Sequence, residues 1–397
     1  METIKGFRDY IGEDAKKRSE IKKILVETFE KYGFEPAETP VIEAEEFVRG
    51  ENTNDEAVSD IYKLEDKGKR KLALRYEFTF QLKRLMRNKK LPFKRYQIGE
   101  VFRDEPVSSN RFRQFVQCDI DTIGSAIKDD AEIIALTKEI LGKLGIKFKI
   151  YIGNRALLNE ILEELGVKLN QNQVLREIDK LDKLSEAEIK SNLKKYKAEN
   201  FVNILKKPEK YFEKYKNYKD ISELKKCCKY YGVDFVFQPS LVRGLSYYNK
   251  NVFEIKTPEA TGNKKISSNS SKLGQIKETI VGGGSYIFNG IQSTGISFGL
   301  DRLSSLAKID YEKEKYLVIS LDKDKEAINI VKKLREKNKM VNLFYGKPSK
   351  ALEYANSYRF SKVIFVGEKE IKEKKFMVKD MESGRETTLK IWKCLVI

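Results

Sequence analysis

The chain has 397 residues, enough for two or three domains of about 150 residues each; 40% are hydrophobic, 35% charged, and 22 Phe and 20 Tyr make it too apolar to stay disordered. Lys and Arg total 78 against 60 Asp and Glu, a net +18 that favours nucleic acid or another anion as partner. No histidine is present, which excludes imidazole general bases, Ser-His-Asp and Cys-His arrangements and His-ligated zinc as protein chemistry.

From Glu13 to Tyr32 the apolar residues Ile21, Ile24, Leu25 and Phe29 recur at helical spacing, and Gly33 supplies a stop. FEPAETPVIEAEEFV carries Pro36 and Pro40 around short apolar runs, which suits an edge strand or extended segment leading into a second helix and an interface. LALRYEFTF and FKRYQIGEVFRD read as strands around a basic helix, LKRLMRNKK, and RFRQFVQCDIDTIG as a further strand. Between Leu82 and Phe115 ten Lys and Arg face three acidic residues, interleaved with aromatics. A helix near Asp130–Leu144 and a strand IKFKIYIG precede a mostly helical stretch to Tyr231, in which Ser191–Tyr230 carries twelve Lys against five acids. A solvated lysine face and an RNA-facing one explain that excess equally well. Strands resume with VDFVFQPSLVRGLSYYNKNVFEIK and ETIVGGGSYIF, and STGISFGLDRLSSLA runs from strand to helix near Ile309. Lys315–Ile397 alternates β and α before a final hairpin at Ser383 and Gly384, a separate small α/β domain. The four cysteines, Cys118, Cys227, Cys228 and Cys394, lack CxxC or disulfide spacing, so a reducing compartment, the cytoplasm, is expected. With no apolar signal core and no run of about 18 apolar residues, no membrane association is expected.

Polar load collects at strand ends. Arg103 and Glu105 end one strand, and Arg111, Arg113 and Phe115 lie on the returning one. Guanidinium forks bind phosphate oxygens bidentately and Phe115 offers a face to a base, so the hairpin suits a nucleoside triphosphate. Taken alone it reads equally well as a surface hairpin of salt-bridged arginines. Glu77 and Thr79 suit an ammonium group, and Gln117 and Asp121 flank Asp119 on one strand face. Arg243, the pair Tyr247 and Tyr248, the glycine run in TIVGGGSY and Arg302 in FGLDRL complete the set.

Together these segments resemble class II aminoacyl-tRNA synthetases, and histidyl-tRNA synthetases of the archaeal and eukaryotic type in particular. KGFRDY, YGFEPAETPVIE, LRYEFT, FRDE with RFRQFVQCDID, DKLDK, LVRGLSYYNKNVFEI, VGGGSY and GISFGLDRL occur in family order along essentially the whole chain. The resemblance implies an α+β fold: a class II antiparallel sheet flanked by helices (residues 1–150 and 230–310), a helical insertion (151–229), and a C-terminal α/β anticodon-binding domain (315–397). It implies a homodimer built on the first motif, with L-histidine and tRNA(His) as partners and ATP with Mg²⁺ as cofactors. By residue, it puts Arg103 on the α-phosphate, Glu105 on the adenine amino group, Arg111 on the γ-phosphate, and the adenine between Phe115 and Arg302. Glu77 and Thr79, with Phe78 between them, would take the substrate ammonium group, Gln117 its carboxyl end, and Asp121 with Tyr248 its imidazole, Tyr247 beside them. Arg243 would neutralise the α-phosphate and carboxylate, and with Arg103 form the catalytic pair.

Three positions depart from the family pattern: Ser285 and Ile287 stand where GGGRYD has an arginine and an acid, and Ser246 stands where an Asp is common. The rival reading is a non-catalytic relative: the regulatory subunit that pairs with ATP phosphoribosyltransferase, or a tRNA sensor. Such subunits generally lack the C-terminal domain and lose ATP-site residues, both of which are present here.

Overall fold

A computed structural model describes residues 1–50, 58, 60–108, 111–182, 184–242, 248–257, 279–311 and 313–390. Arg243 and Tyr247 lie outside them, as does the polar stretch near Asn263–Lys272. The chain divides into two compact units, Met1–Ile309 and Asp310–Ile397.

The first unit opens with helix α1, Gly12–Lys31, which buries Ile21, Leu25 and Phe29. It ends because Gly33 takes a left-handed φ of 78°. That conformation lets Gly33 N–H reach Glu30 O at 2.9 Å and Phe34 N–H reach Phe29 O at 3.0 Å, a Schellman closure. The strands follow as β1 (Glu35–Pro36), β2 (Ile42–Ala44), β3 (Lys63–Glu65), β4 (Lys71–Leu74), β5 (Phe93–Phe102), β6 (Gln114–Ile123), β7 (Lys149–Asn154), β8 (Val236–Phe237), β9 (Tyr248–Lys256), β10 (Val281–Phe288) and β11 (Ile291–Gly299). Eight of them form one sheet in the order β1-β5-β6-β11-β10-β9-β7-β8, while β2, β4 and β3 form a small second sheet. The large sheet is antiparallel except at its ends, where β1 pairs with β5 and β7 with β8 in parallel. Pro36 thus sits on the edge strand, where its missing N–H costs no ladder bond.

Alternation sorts the sheet's faces. Along β6, Cys118 and Ile120 join the apolar core with α1 and the helix Ile127–Lys143, and Gln117, Asp119 and Asp121 project to the opposite face. Each fully buried aliphatic side chain in that core contributes about 1.5–3 kcal/mol, so a one-residue slip of β6 would forfeit several such gains at once. The expected basic helix LKRLMRNKK is reduced to Leu82–Leu85; Asn88 turns left-handed at φ 63° and Pro92 follows, so the helical ladder cannot continue.

Between β7 and β8 the chain is helical. Its first helix, Arg155–Glu164, starts where the Asn154 side chain accepts the Leu157 N–H at 2.9 Å. A later one, Glu186–Leu193, starts at a capping box of Ser185 and Glu188. In the second unit, strands β12 (Lys315–Ser320), β13 (Met340–Tyr345), β14 (Lys362–Val366), β15 (Lys375–Asp380) and β16 (Glu386–Lys390) lie in the order β13-β12-β14-β15-β16. Tyr316 and Val318 pack on the helix Asp324–Glu336, and Leu317 and Ile319 on the helix Pro348–Ser357. Burial of both faces explains why YLVISL is a continuous apolar run. Among the described residues no helix is long and apolar enough to cross a membrane.

Candidate active site

On the polar face of the large sheet lies a cavity of ≈ 620 Å³, within the size range of small-molecule sites. It is lined by Glu77, Thr79, Arg103, Glu105, Arg111, Phe115, Gln117, Asp121, Tyr248 and Arg302, which are ten of the residues expected from the sequence. Phe78 does not join them. Its side chain is fully buried, with the Arg75 guanidinium 4.9 Å from its ring centroid.

One end of the cavity is cationic and aromatic. The β5–β6 hairpin returns Phe115 opposite Val101, so the Arg103 guanidinium lies 5.2 Å from the Phe115 ring centroid. Arg103 is aimed by two further bonds, from Nε to Tyr76 O at 3.1 Å and from Nη2 to Gln117 Oε1 at 3.2 Å. Glu105 lies between two arginines, 3.8 Å from Arg103 and 3.6 Å from Arg111. Arg302, in the helix Leu300–Leu306, donates through Nη1 to Thr279 O.

The other end is lined by buried carboxylates and hydroxyls. Asp121 Oδ1 accepts from Tyr286 Oη at 2.5 Å and Asp121 Oδ2 pairs with Arg95 Nη2 at 2.7 Å. Burial pushes the Tyr286 hydroxyl well above its ordinary pKa, with the Asp121 charge adding to the effect. Asp119, two residues along, accepts from Gln117 Nε2 at 3.1 Å; burial raises its carboxyl to about 6, against the opposing pull of Arg95. Backbone approaches closely here. Gly295 stands opposite Asp121 in the ladder, where a Cβ would overlap Asp121 Oδ1. A Cβ on Gly284 would sit 2.9 Å from Tyr248 Cδ1, so the glycine run gives the Tyr248 ring its seat.

Ser285 points away from the cavity. Its Oγ donates to Asp130 Oδ2 at 2.9 Å, Asn251 Nδ2 donates to the same oxygen at 2.8 Å, and Asn154 Nδ2 donates to Asn251 Oδ1 at 2.9 Å. Burial lifts the Asp130 carboxyl to about 6. The replacement in the GGGSYI segment therefore belongs to a buried polar chain behind the site. Sequence reasoning missed Arg95, Tyr286 and Glu254 as neighbours of the cavity. Tyr286 was within reach, since it closes the glycine motif, whereas Arg95 emerges only from the β5–β6 register, Arg95 opposite Asp121.

Two family profiles match the chain: histidyl-tRNA synthetase over residues 6–303 and anticodon binding domain over residues 315–395. The histidine–tRNA ligase 1 of Bacillus cereus is 31% identical over 422 residues, covering 98% of each chain. The histidine–tRNA ligase of Pyrococcus horikoshii is 34% identical over 428 residues, covering 97% of this chain and 96% of its own. The crystal structure of histidyl-tRNA synthetase from Nostoc sp. PCC 7120 superposes with a TM-score of 0.82 over 98% of this chain and 96% of its own; at 23% identity it speaks for the fold.

Proposed function

The chain belongs to the histidyl-tRNA synthetase family, and from that premise we propose how its cavity carries out the histidine–tRNA ligase reaction and which residues take each part. ATP enters the cationic end: adenine stacks on Phe115 and is covered by Arg302, Glu105 accepts from its exocyclic amino group, and Arg103 and Arg111 take the α- and γ-phosphates. Histidine lies at the other end with its ammonium group on Glu77 and Thr79, its carboxylate near Gln117, and its imidazole between Asp121, Tyr248 and Tyr286. The observation that carries this assignment is Arg103, which contacts both halves at once, stacking on Phe115 and bonding Gln117.

No protein base is needed for the first step. The histidine carboxylate, already an anion at neutral pH, attacks the α-phosphorus, the bond to the bridging oxygen breaks, and pyrophosphate leaves with that electron pair. Arg103, with Arg243, offsets charge building on the α-phosphate oxygens; losing one such donor typically costs about 10²-fold in rate. The adenylate then passes its histidyl group to the terminal ribose of tRNA(His), and the C-terminal unit reads the anticodon. Mg²⁺ bound with ATP would take one or two carboxylates from the protein. Glu254, which lines the cavity, would hold Mg²⁺ there. Mg²⁺ held there would supply charge neutralisation to the ATP phosphates.

The protein works as a homodimer in the cytoplasm. Val41, Ile42 on β2 and Leu64 on β3 expose apolar side chains, and β1 leaves an open edge on the large sheet, both of which support a partner. The test is pyrophosphate exchange into ATP with each of the twenty amino acids in turn and no tRNA. Exchange with histidine alone is expected; no exchange from a folded protein that still binds histidine would return the regulatory or sensing reading.

A further inference from the structure

Among the described residues of this unit, Arg95 is the largest side chain to be wholly buried, at 0% exposure. Among the described residues its Nε and Nη1 have no hydrogen-bond partner, and it keeps one short ion pair, Nη2 to Asp121 Oδ2 at 2.7 Å, with a longer contact to Phe78 O at 3.4 Å. A buried guanidinium is costly, and a hydrophobic side chain of the same volume packs as well or better. Packing therefore does not account for it.

The charges around it separate two neighbouring carboxylates. Asp119 and Asp121 project from the same face of β6, but only Asp121 touches the cation. Asp119 bonds neutral partners, the Gln117 amide and the Ser297 hydroxyl. With Arg95 behind it and the Tyr286 hydroxyl on its other oxygen, Asp121 is clamped from two strands, and Gly295 leaves room beside it.

We infer that Arg95 is a specificity-determining positioning residue: it supplies the counter-charge of Asp121 and fixes its plane, so that the carboxylate meets the substrate ring as an acceptor and selects for a ring N–H. This deepens the proposed function and rests on its placement of the imidazole at Asp121. Without Arg95 the carboxylate loses its counter-charge and its orientation, and a ring with only an acceptor nitrogen becomes less disfavoured.

The experiment is pyrophosphate exchange by the full-length Arg95→Met, Arg95→Lys and Asp121→Asn variants, with L-histidine and with 3-(thiazol-2-yl)alanine, which has a ring nitrogen but no ring N–H. Arg95→Met should raise KM for histidine about 30-fold or more, as truncating one member of a buried charge pair does at binding sites, and leave KM for ATP nearly unchanged. Its preference for histidine over the thiazole should fall about tenfold or more, and Arg95→Lys should restore most of both. If Asp121→Asn raises KM for histidine while Arg95→Met leaves it and the preference intact, the inference fails and the site stands. If Asp121→Asn changes neither, the imidazole does not lie at Asp121 and the site assignment itself fails. A loss in Arg95→Met that falls equally on ATP and histidine and is not repaired by Lys would make Arg95 structural only, which also overturns the inference.

Discussion

Arg18 and Asp301, 283 residues apart in sequence, meet as a largely buried ion pair of 2.7 Å. Asp301 also accepts from Tyr10 Oη at 2.6 Å and, at 3.4 Å, from the Val116 N–H on β6. The Arg18 guanidinium lies 3.8 Å from the Tyr10 ring centroid. Asp301 precedes Arg302, so α1 and the KGFRDY segment hold the turn that presents the arginine proposed to cover adenine.

Arg18→Met should therefore weaken ATP binding more than histidine binding. Leaving Asp301 without its cation should lower stability toward the bottom of the ~3–5 kcal/mol seen for broken buried pairs. Tyr10→Phe removes one donor from an acceptor that keeps others and should cost about 1 kcal/mol. Urea unfolding with KM for ATP and for histidine checks the order.

Gly295→Ala should disable histidine activation while the protein still folds. The added methyl overlaps the Asp121 carboxylate and must displace it from the position proposed to hold the imidazole. Overpacking of this kind costs about 1–3 kcal/mol of stability, and kcat/KM for histidine should fall by about 10²-fold, as when a catalytic group is misplaced by an ångström. Exchange kinetics alongside thermal melting separates the two effects.

Phe115→Leu should raise KM for ATP with a smaller effect on KM for histidine, because stacking on a base contributes about 1–3 kcal/mol. Arg103→Lys should lower kcat instead, by about 10²-fold, since an ammonium cannot bond Tyr76, Gln117 and a phosphate in one plane. Single-turnover adenylate formation distinguishes a binding loss from a chemical one.

Asp130 predicts a pH dependence of stability. Its folded-state carboxyl is raised to about 6 from 3.8, so its contribution is full below the unfolded value and is lost as pH rises toward 6. That swing amounts to up to about 3 kcal/mol. Asp130→Asn keeps an acceptor for Ser285 and Asn251 but cannot ionise. The stability of the native protein relative to this variant should fall between pH 4 and 6 and level off above. Urea unfolding of both proteins across that range measures the difference; taking the difference removes the parallel contribution of Asp119, also raised to about 6.

Much of the site was legible because strand alternation is local. Gln117, Asp119 and Asp121 announce a shared face by spacing alone, and the hairpin brings Arg103 to Phe115 with no long-range information. Helix α1 was legible for the same reason, its apolar period and closing glycine being written in one stretch. Arg95 was not, because its partner is set by strand register, and one residue of slip would send it to the opposite face. Nor was the chain from Ser285 through Asp130 and Asn251 to Asn154, which draws on β10, a helix start, β9 and β7. The shortened basic helix went unread because lysine and arginine favour helices while Asn88 and Pro92 end them.

The chain leaves the large sheet at Asn154 and returns at Val236, and these points are neighbours: Tyr151 pairs with Val236, Ile152 with Phe237, and Gln238 N–H reaches Ile152 O at 2.8 Å. To the sheet, everything between them is a loop whose ends are pinned side by side. The entropy of closing such a loop grows only with the logarithm of its length, about 0.6 kcal/mol per doubling. In length the intervening helices can therefore vary at little cost in chain closure, whereas their apolar faces are tied to the sheet: Phe212 and Tyr218 pack on Phe237 of β8, and Leu158 and Ile161 share the core of Ile150 and Ile152.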